Sequence, residues 1–224
     1  MAETIITVQG EYELTHPAER GTVRLAVGYD GPDREDVLAL TTERQTSLGA
    51  ELRELHNAQN GPVTWWASDN LRVWGERPWN QNGEQLPVVF HAEIGIEAKF
   101  SDLAALSDWV GAVSLLGGVT VGGVIWALTD ARRQTLVQEA RRRAVENAVA
   151  KATVYATSLG LSTVRPIALS DPGMLGDGTA PVQPLHGAQP MFARVSADSN
   201  AVALSLKPED ITIQVQVHAR FAAS

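Results

Sequence analysis

The residue types that do acid–base, nucleophilic or metal chemistry are sparse and widely spaced in this chain. Its five histidines are His16, His56, His91, His186 and His218. They show no HxH, HxxxH or HExxH spacing, which is what brings two imidazoles onto one metal ion. The absence of cysteine excludes a thiol nucleophile, Cys-ligated zinc and a disulfide framework, and no GxSxG elbow is present. We predict no catalytic residue, no cofactor and no metal site, although neighbouring strands could bring His91 and His218 together with Glu93.

Two glycine pairs, Gly117-Gly118 and Gly122-Gly123, flank the short run Val119-Thr120-Val121. A phosphate-binding loop would require GxxxxGK[ST], or GxGxxG opening a helix after a strand, and neither motif occurs. Glycine is also the residue of tight turns and β-bulges. We therefore interpret both pairs as turn and bulge residues.

An arginine-rich stretch, 130–160, carries six basic and three acidic residues inside a chain whose formal net charge is −8. Contact with nucleic acid is one interpretation. The other is a solvated helix face joined by i,i+4 pairs such as Glu139/Arg143 and Arg142/Glu146. We favour the solvated face and predict no nucleic-acid partner, because no stacking aromatics are interleaved with these arginines and the acidic balance opposes binding to phosphate.

Four of the six tryptophans lie close together in the chain, at Trp65, Trp66, Trp74 and Trp79. If Trp65 and Trp66 lie in a strand, they must face opposite sides of it. An exposed tryptophan is a credible interface anchor, whereas burial under the loop 81–87 would make the cluster structural. We leave both alternatives open, together with a third in which the four rings form a small-molecule pocket.

The hydrophobic pattern predicts an α+β fold. Alternating residues predict strands at 88–100 and 211–221, and shorter patterns predict strands at 6–12 and 23–29. Further strand candidates lie at 63–74, 119–128 and 161–170. Helical spacing predicts helices at 33–56, 101–115 with Ser101 as N-cap, and 130–159 with Gly160 at the C-terminal cap. We expect an antiparallel-rich sheet whose apolar face is covered by the helices at 33–56 and 130–159.

The length of 224 residues suits one large or two small domains, and the 44% hydrophobic content excludes a disordered chain. We predict a single domain over 1–224 with a long Pro/Gly-rich loop at about 171–208. The most apolar stretch, 109–128, holds five glycines, so we expect no transmembrane segment. With no targeting segment recognised we expect a cytoplasmic protein, or a periplasmic or exported one if a signal peptide has been removed.

The order of elements resembles the SIMPL-domain family, a widespread bacterial group of largely unknown function. The opening run Ile6–Leu14 is similar to the family's I-x-V-x-G-x-G-x start, with Tyr12 in place of the second glycine. The segment Val124–Asp130, followed by Glu139 to Ala148, is similar to the family's strand ending in F-x-L-S-D and the alanine-rich helix after it. Here Trp126 replaces the usual phenylalanine.

The resemblance implies a SIMPL-like α+β fold and a homo-oligomer, a closed ring being one form. It implies no catalytic residue, because the family has no agreed active site. We therefore expect a non-enzymatic assembly or protein-interaction module that binds other copies of itself. The alternative is a small-molecule-binding protein or enzyme that uses the tryptophans. Our candidate interface residues are Trp65, Trp66, Trp74, Trp79, Met191 and Phe192.

Overall fold

The computed structural model describes residues 3–81, 84–175 and 206–224. Within these ranges it has three helices and antiparallel sheets, with 33% helix and 42% strand. The prediction of an α+β fold is confirmed. The elements in chain order are β1 (Thr4–Pro17), β2 (Arg20–Gly31), α1 (Arg34–Leu55), β3 (Val63–Ser68), β4 (Arg72–Glu76), β5 (Val89–Phe100), α2 (Leu103–Val113), β6 (Val119–Ala127), α3 (Asp130–Ser158), β7 (Val164–Ser170) and β8 (Asp210–Ala223).

The chain divides into two compact units. Of the described residues, the first unit holds 3–17, 128–175 and 210–224, and the second holds 18–81, 84–127 and 206–209. The strands accordingly fall into two sheets, where the sequence pattern predicted one. Each unit has its own helix partner for its sheet, so the two long helices cover different sheets. The prediction of one domain over 1–224 stays a prediction.

The first unit is a three-stranded antiparallel sheet in the order β1-β8-β7, with α3 packed on one face. Alanines at spacings of four predict one apolar stripe along α3, and that stripe is buried: Ala140, Ala144, Ala148, Ala152 and Ala156 are all 0–1% exposed. Opposite the stripe, Gly10 of β1 lacks a side chain, and a Cβ there would lie 2.7 Å from the Ala148 Cβ. Small residues on both elements thus let the helix approach the strand closely.

Both ends of α3 are capped. The Thr129 side chain accepts a hydrogen bond from the Arg132 amide at the N-terminus. At the C-terminus, Leu161 N–H donates to the Ala156 carbonyl and Gly160 N–H donates to the Thr157 carbonyl. This is the Schellman pattern, and Gly160 has the positive φ of 77° that the pattern requires. The predicted role of Gly160 is confirmed.

The second unit is a five-stranded antiparallel sheet in the order β3-β5-β2-β6, and β4 pairs with β5 in line with β3. Helices α1 and α2 contribute Leu48, Leu52, Leu106 and Val110 to its core, where Val23, Val27 and Phe100 of the sheet are fully buried. The alternation predicted for 88–100 is confirmed, since Ala92, Ile96, Ala98 and Phe100 are buried. One face of this sheet is therefore dry, and the opposite face carries its charged residues.

Three local predictions were wrong. The N-cap of α2 is Asp102, whose carboxylate accepts from the Ala104 and Ala105 amides, while the Ser101 hydroxyl donates to the Gly61 carbonyl. On α1, helical spacing predicts Leu40 on the apolar face with Val37 and Leu48, but Leu40 is 47% exposed and Thr41 is buried instead. Thr41 fits there because its hydroxyl donates to the Val37 carbonyl. The stretch 63–74 does not form one strand: β3 ends at Ser68 and β4 begins at Arg72, and the two pair with different parts of β5.

The glycine pairs have the predicted turn and bulge roles. The β2–β6 register shifts between Arg24 and Leu25, which leaves Gly122 as the extra residue of a β-bulge. Gly118 has φ of 76° at the start of β6, and the ring of Tyr29 covers it while the Tyr29 hydroxyl donates to the Gly117 carbonyl over 2.7 Å. Neither pair opens a helix, so neither forms a phosphate loop.

Candidate functional site

The two histidines that neighbouring strands could have brought together, His91 and His218, lie on different sheets. His91 lies on β5 with its Nδ1 2.6 Å from the Asp30 carboxylate, whereas His218 lies on β8 in the other sheet. Glu93 pairs with Arg72 at 3.0 Å. His186 lies outside the described residues. Across 3–81, 84–175 and 206–224 the structure holds no group of three or more His, Asp or Glu side chains arranged to bind a metal.

The arginines of α3 form a solvated ion-pair network along the helix. The Arg142 guanidinium donates to Glu139 over 2.6 Å and also to Glu146, and Arg143 Nε donates to Glu139 over 3.0 Å. These hydrogen bonds, with Arg142 first and Arg143 second, lower the pKa of the Glu139 carboxyl. The predicted i,i+4 pairs are present, so these two arginines are engaged with carboxylates.

The four clustered tryptophans point in different directions. Trp65 and Trp66 face opposite sides of β3, as predicted: Trp66 packs against the core beneath Arg53, and Trp65 is 47% exposed. Trp74 on β4 is 40% exposed, and Trp79, in the loop after β4, is 81% exposed. These exposures favour the interface alternative over burial beneath a loop. The alternative of a small-molecule pocket stays a prediction.

Trp65 and Trp74 lie at the two ends of a polar row on the outer face of the five-stranded sheet. The row follows β5, and we name it the β5 track. It consists of His91, Glu93, Gly95, Glu97 and Lys99 on β5, with Trp74 paired beside His91 and Trp65 paired beside Lys99.

The side chains along the β5 track are fixed by their neighbours. The Trp74 ring stacks on His91 with centroids 5.2 Å apart and planes inclined by 17°, and the Arg72 guanidinium lies 5.8 Å from the Trp74 ring centre. His91 Nε2 is buried and has no hydrogen-bond partner within the described ranges. Ion pairs join Arg72 to Glu93 and Arg24 to Glu97. The track is therefore a pre-ordered polar surface with an aromatic ring at each end.

A second surface lies at the free edge of β1, where the sequence pattern pointed to no candidate. Strand β1 pairs with β8 and, within the described residues, ends the three-stranded sheet. An apolar groove of about 420 Å³ runs between this edge and the end of α3, lined by Thr4, Ile5, Ile6, Thr7, Tyr155, Ser158 and Leu159. Ile5, Tyr155 and Leu159 are 52%, 53% and 64% exposed. We name this surface the β1-edge groove.

Side chains of α3 cover the next part of the same edge. Asn147 Oδ1 accepts from the Glu11 amide over 3.2 Å, and Lys151 Nζ donates to the Gln9 carbonyl over 3.1 Å. Lys151 also pairs with the Glu11 carboxylate at 3.2 Å. The edge is thus covered at Gln9 and Glu11, and the β1-edge groove lies on the N-terminal side of Gln9.

The other two predicted interface residues, Met191 and Phe192, lie outside the described residues, as does most of the Pro/Gly-rich loop predicted at about 171–208. Its first residues are described, and Met174 there is 75% exposed. The prediction that this loop contributes to a contact between copies stays a prediction.

The family comparison decides the relationship that the element order suggested. The model of SIMPL, described as a protein of unknown function (DUF541), matches residues 6–221. The chain belongs to the SIMPL family. The SIMPL match begins in β1 and ends in β8, so it spans both compact units. The family description assigns no activity, and no residue role passes from it to this chain.

Two other comparisons bear on this SIMPL protein. The search of curated proteins finds no match. Among the helices of the described ranges, none is both long and apolar enough to cross a membrane.

Proposed function

We propose that this SIMPL protein is a non-enzymatic module that self-associates, with β1 of one copy pairing with β1 of a second copy. The observation that carries the proposal is the β1-edge groove, where free strand backbone lies beside exposed apolar side chains. An unpaired strand edge is a template for a further strand, and β-strand addition combines backbone hydrogen bonds with side-chain pockets.

The hydrogen bonds at the edge define which residues can pair. Residues of an antiparallel strand direct their N–H and C=O groups alternately to the two sides. Because the Gln9 carbonyl and the Glu11 amide face α3 at the free edge, the odd-numbered residues of β1 supply the edge. Asn147 and Lys151 occupy it at Glu11 and Gln9. On the N-terminal side of Gln9, beside the groove, the edge groups are those of Glu3, Ile5 and Thr7.

This short window fits a two-fold symmetric pair. An isologous contact places the same residues of both copies around one axis. Centred on Ile5, the antiparallel register pairs Glu3 with Thr7 of the second copy, Ile5 with Ile5, and Thr7 with Glu3, so it uses all three edge positions on the N-terminal side of Gln9. The two sheets then join as a continuous six-stranded sheet.

The same arrangement buries the apolar side of the groove. Helix α3 runs antiparallel to β1, because Asn147, Lys151 and Tyr155 approach Glu11, Gln9 and the Ile5 region in that order. A two-fold axis perpendicular to the sheet keeps both α3 helices on one face and brings their C-terminal ends together. Tyr155 and Leu159 of the two copies then leave water at roughly 25 cal/mol per Å² of apolar surface.

The non-enzymatic part of the proposal is supported by the distribution of polar groups. His91 is engaged by Asp30, and Glu93 and Glu97 are engaged by arginines. Within the described ranges these side chains lie along a flat sheet face, whereas catalysis needs titratable groups that converge on a cleft.

Mass in solution tests the proposal. We expect wild-type protein to form dimers or larger assemblies that dissociate on dilution, measured by light scattering after size-exclusion chromatography. The double variant Tyr155→Ser with Leu159→Ser should be a monomer at the same concentrations, because it removes the apolar side of the groove.

The control is Val154→Ser. Val154 is 61% exposed on the same helix but does not line the groove, so its substitution should leave the mass unchanged. A wild type that is monomeric throughout, or a double variant that assembles like the wild type, would overturn the proposal.

A further inference from the structure

The outer face of the five-stranded sheet presents two exposed tryptophans at a fixed separation. In the strand register, Trp65 lies beside Lys99 and Trp74 lies beside His91, eight residues apart along β5. At about 3.4 Å per residue the backbone positions of the two tryptophans are roughly 27 Å apart along the strand. A ligand that contacts both must be long and extended.

The floor between the two tryptophans is flat. Gly95 on β5 lies beside Ala26 on β2, and Gly28 lies beside Glu93. Asp69, in the β3–β4 connection, packs over Gly95, because a Cβ on Gly95 would approach the Asp69 carboxylate. The glycines and Ala26 keep the backbone floor low, and the Asp69 carboxylate fills the space above Gly95. A flexible chain can lie along such a floor, whereas a compact ligand finds no enclosing pocket.

Three polar pairs join side chains of the β5 track to their neighbours in the sheet. Arg72 joins Glu93 at 3.0 Å, Arg24 joins Glu97 at 3.4 Å, and His91 joins Asp30 at 2.6 Å. The Arg72 and Arg24 side chains are nevertheless 71% and 52% exposed. Paired but accessible guanidinium and carboxylate groups offer donors and acceptors without a strong net charge. This favours an uncharged polar ligand over a polyanion, which needs unpaired cations.

We propose that the β5 track binds an extended, uncharged polysaccharide, with Trp65 and Trp74 as stacking platforms at its two ends. The C–H faces of pyranose rings are apolar and pack on indole rings, while ring hydroxyls both donate and accept hydrogen bonds. Arg72, Glu93 and Glu97 supply the matching groups between the platforms. His91 and Arg72 hold the Trp74 ring in a fixed orientation, so little side-chain freedom is lost when the ligand binds.

The probes are uncharged hexasaccharides of glucose, in β-1,4 and α-1,4 linkage, of mannose and of N-acetylglucosamine. Binding is measured by calorimetry and by tryptophan fluorescence, and the disaccharide of each series is the length control. At least one hexasaccharide should bind, and its disaccharide should bind much more weakly because it cannot span both platforms. Failure of all four hexasaccharides to bind, or equal affinity for the two lengths, overturns the proposal.

Single substitutions locate the site. Trp65→Ala and Trp74→Ala should each weaken hexasaccharide binding about tenfold or more, as expected for a tryptophan anchor. The matched control is Trp79→Ala, because Trp79 is 81% exposed but lies off the track, and it should bind like wild type. Unchanged affinity in the first two variants, or an equal loss in Trp79→Ala, overturns the assignment.

Two further readouts test the ligand class and the independence of the β5 track from the β1-edge groove. A single-stranded oligonucleotide and an acidic peptide should not compete with the hexasaccharide, and competition by either would overturn the inference of an uncharged ligand. The mass of Trp65→Ala in solution should equal that of wild type, because Trp65 does not line the groove. Failure of glycan binding and failure of self-association are therefore measured independently.

Discussion

Replacing Gly10 with alanine tests the closest contact in the first unit. Gly10 lies on β1, opposite the alanine stripe of α3. The added Cβ would lie 2.7 Å from the Ala148 Cβ and 2.8 Å from the Ala148 backbone nitrogen. Both distances are below those of ordinary van der Waals contact. Because the obstacle includes helix backbone, no side-chain rotation relieves it, and α3 must move away from the sheet.

The expected cost follows from overpacking. Forcing a methyl group into a close-packed interface typically costs about 1–3 kcal/mol, and displacement of α3 would also loosen the contacts of Ala144 and Ala152. The matched control is Gly111→Ala. Gly111 lies inside α2 with open space where its Cβ would be, and alanine in a helix interior is about 0.5–1 kcal/mol more favourable than glycine. The same substitution should thus lower the free energy of unfolding at position 10 and raise it at position 111.

Urea unfolding followed by circular dichroism measures both effects. The free energy of unfolding should fall for Gly10→Ala and should rise slightly for Gly111→Ala. If the two units unfold in separate transitions, only the transition that contains α3 should move in Gly10→Ala. An unchanged or higher midpoint for Gly10→Ala would refute the close packing of β1 on α3, and Ala148→Leu should then be tolerated as well.

Three further predictions concern α3 and its ends. Gly160→Ala should lower the free energy of unfolding by about 1–2 kcal/mol, because a residue with a Cβ is disfavoured at the left-handed φ of 77°. Thermal unfolding measures this effect. An unchanged midpoint would contradict the Schellman cap. Since the pKa of Glu139 is lowered in the folded state, its contribution to stability is present above the unfolded-state value of about 4.3 and is lost as pH falls through the lower folded value. Glu139→Gln should therefore lose less stability than wild type on acidification at low salt, measured by urea midpoints. An equal loss in the two proteins would contradict a stabilising role for the Glu139 ion pairs. Fluorescence anisotropy should detect no nucleic-acid binding at about 10 μM protein and physiological salt, conditions under which non-specific binding is usually visible. A salt-sensitive affinity that is lost when arginines 141–143 become Gln would show that these arginines bind nucleic acid.

Local patterns predicted most of the elements. Alternation identified both long strands, 88–100 and 211–221, and the buried stripe of α3 followed from alanines at spacings of four. Where the prediction was wrong, a neighbouring residue took the predicted position because of its own hydrogen bonds. Asp102 is one residue nearer the helix than Ser101 and caps two amides. Thr41 is buried in place of Leu40 because its hydroxyl bonds within its own helix.

The candidate surfaces were predicted less completely, since they depend on contacts between distant residues. Opposite facing of Trp65 and Trp66 follows from strand geometry alone. Placing Trp74 on His91 requires the pairing of β4 with β5, which no sequence pattern specifies. The β1-edge groove also depends on strand order, because periodicity identifies a strand without indicating whether it lies at an edge. Its limits depend on Asn147 and Lys151, more than 130 residues from the backbone groups that they contact.

A single engineered cysteine at the β1 edge tests self-association most directly. The natural chain has no cysteine, so any disulfide must join introduced residues. In the proposed register Ile5 lies opposite Ile5 of the second copy, with the Cα atoms about 5.5 Å apart, a separation that a disulfide can span. Ile5→Cys should form a covalent dimer under mild oxidation, as seen by mass under non-reducing conditions. Thr15→Cys, exposed on the same strand outside the groove, should stay monomeric. A monomeric Ile5→Cys, or dimers formed equally by both variants, would contradict pairing at the β1 edge.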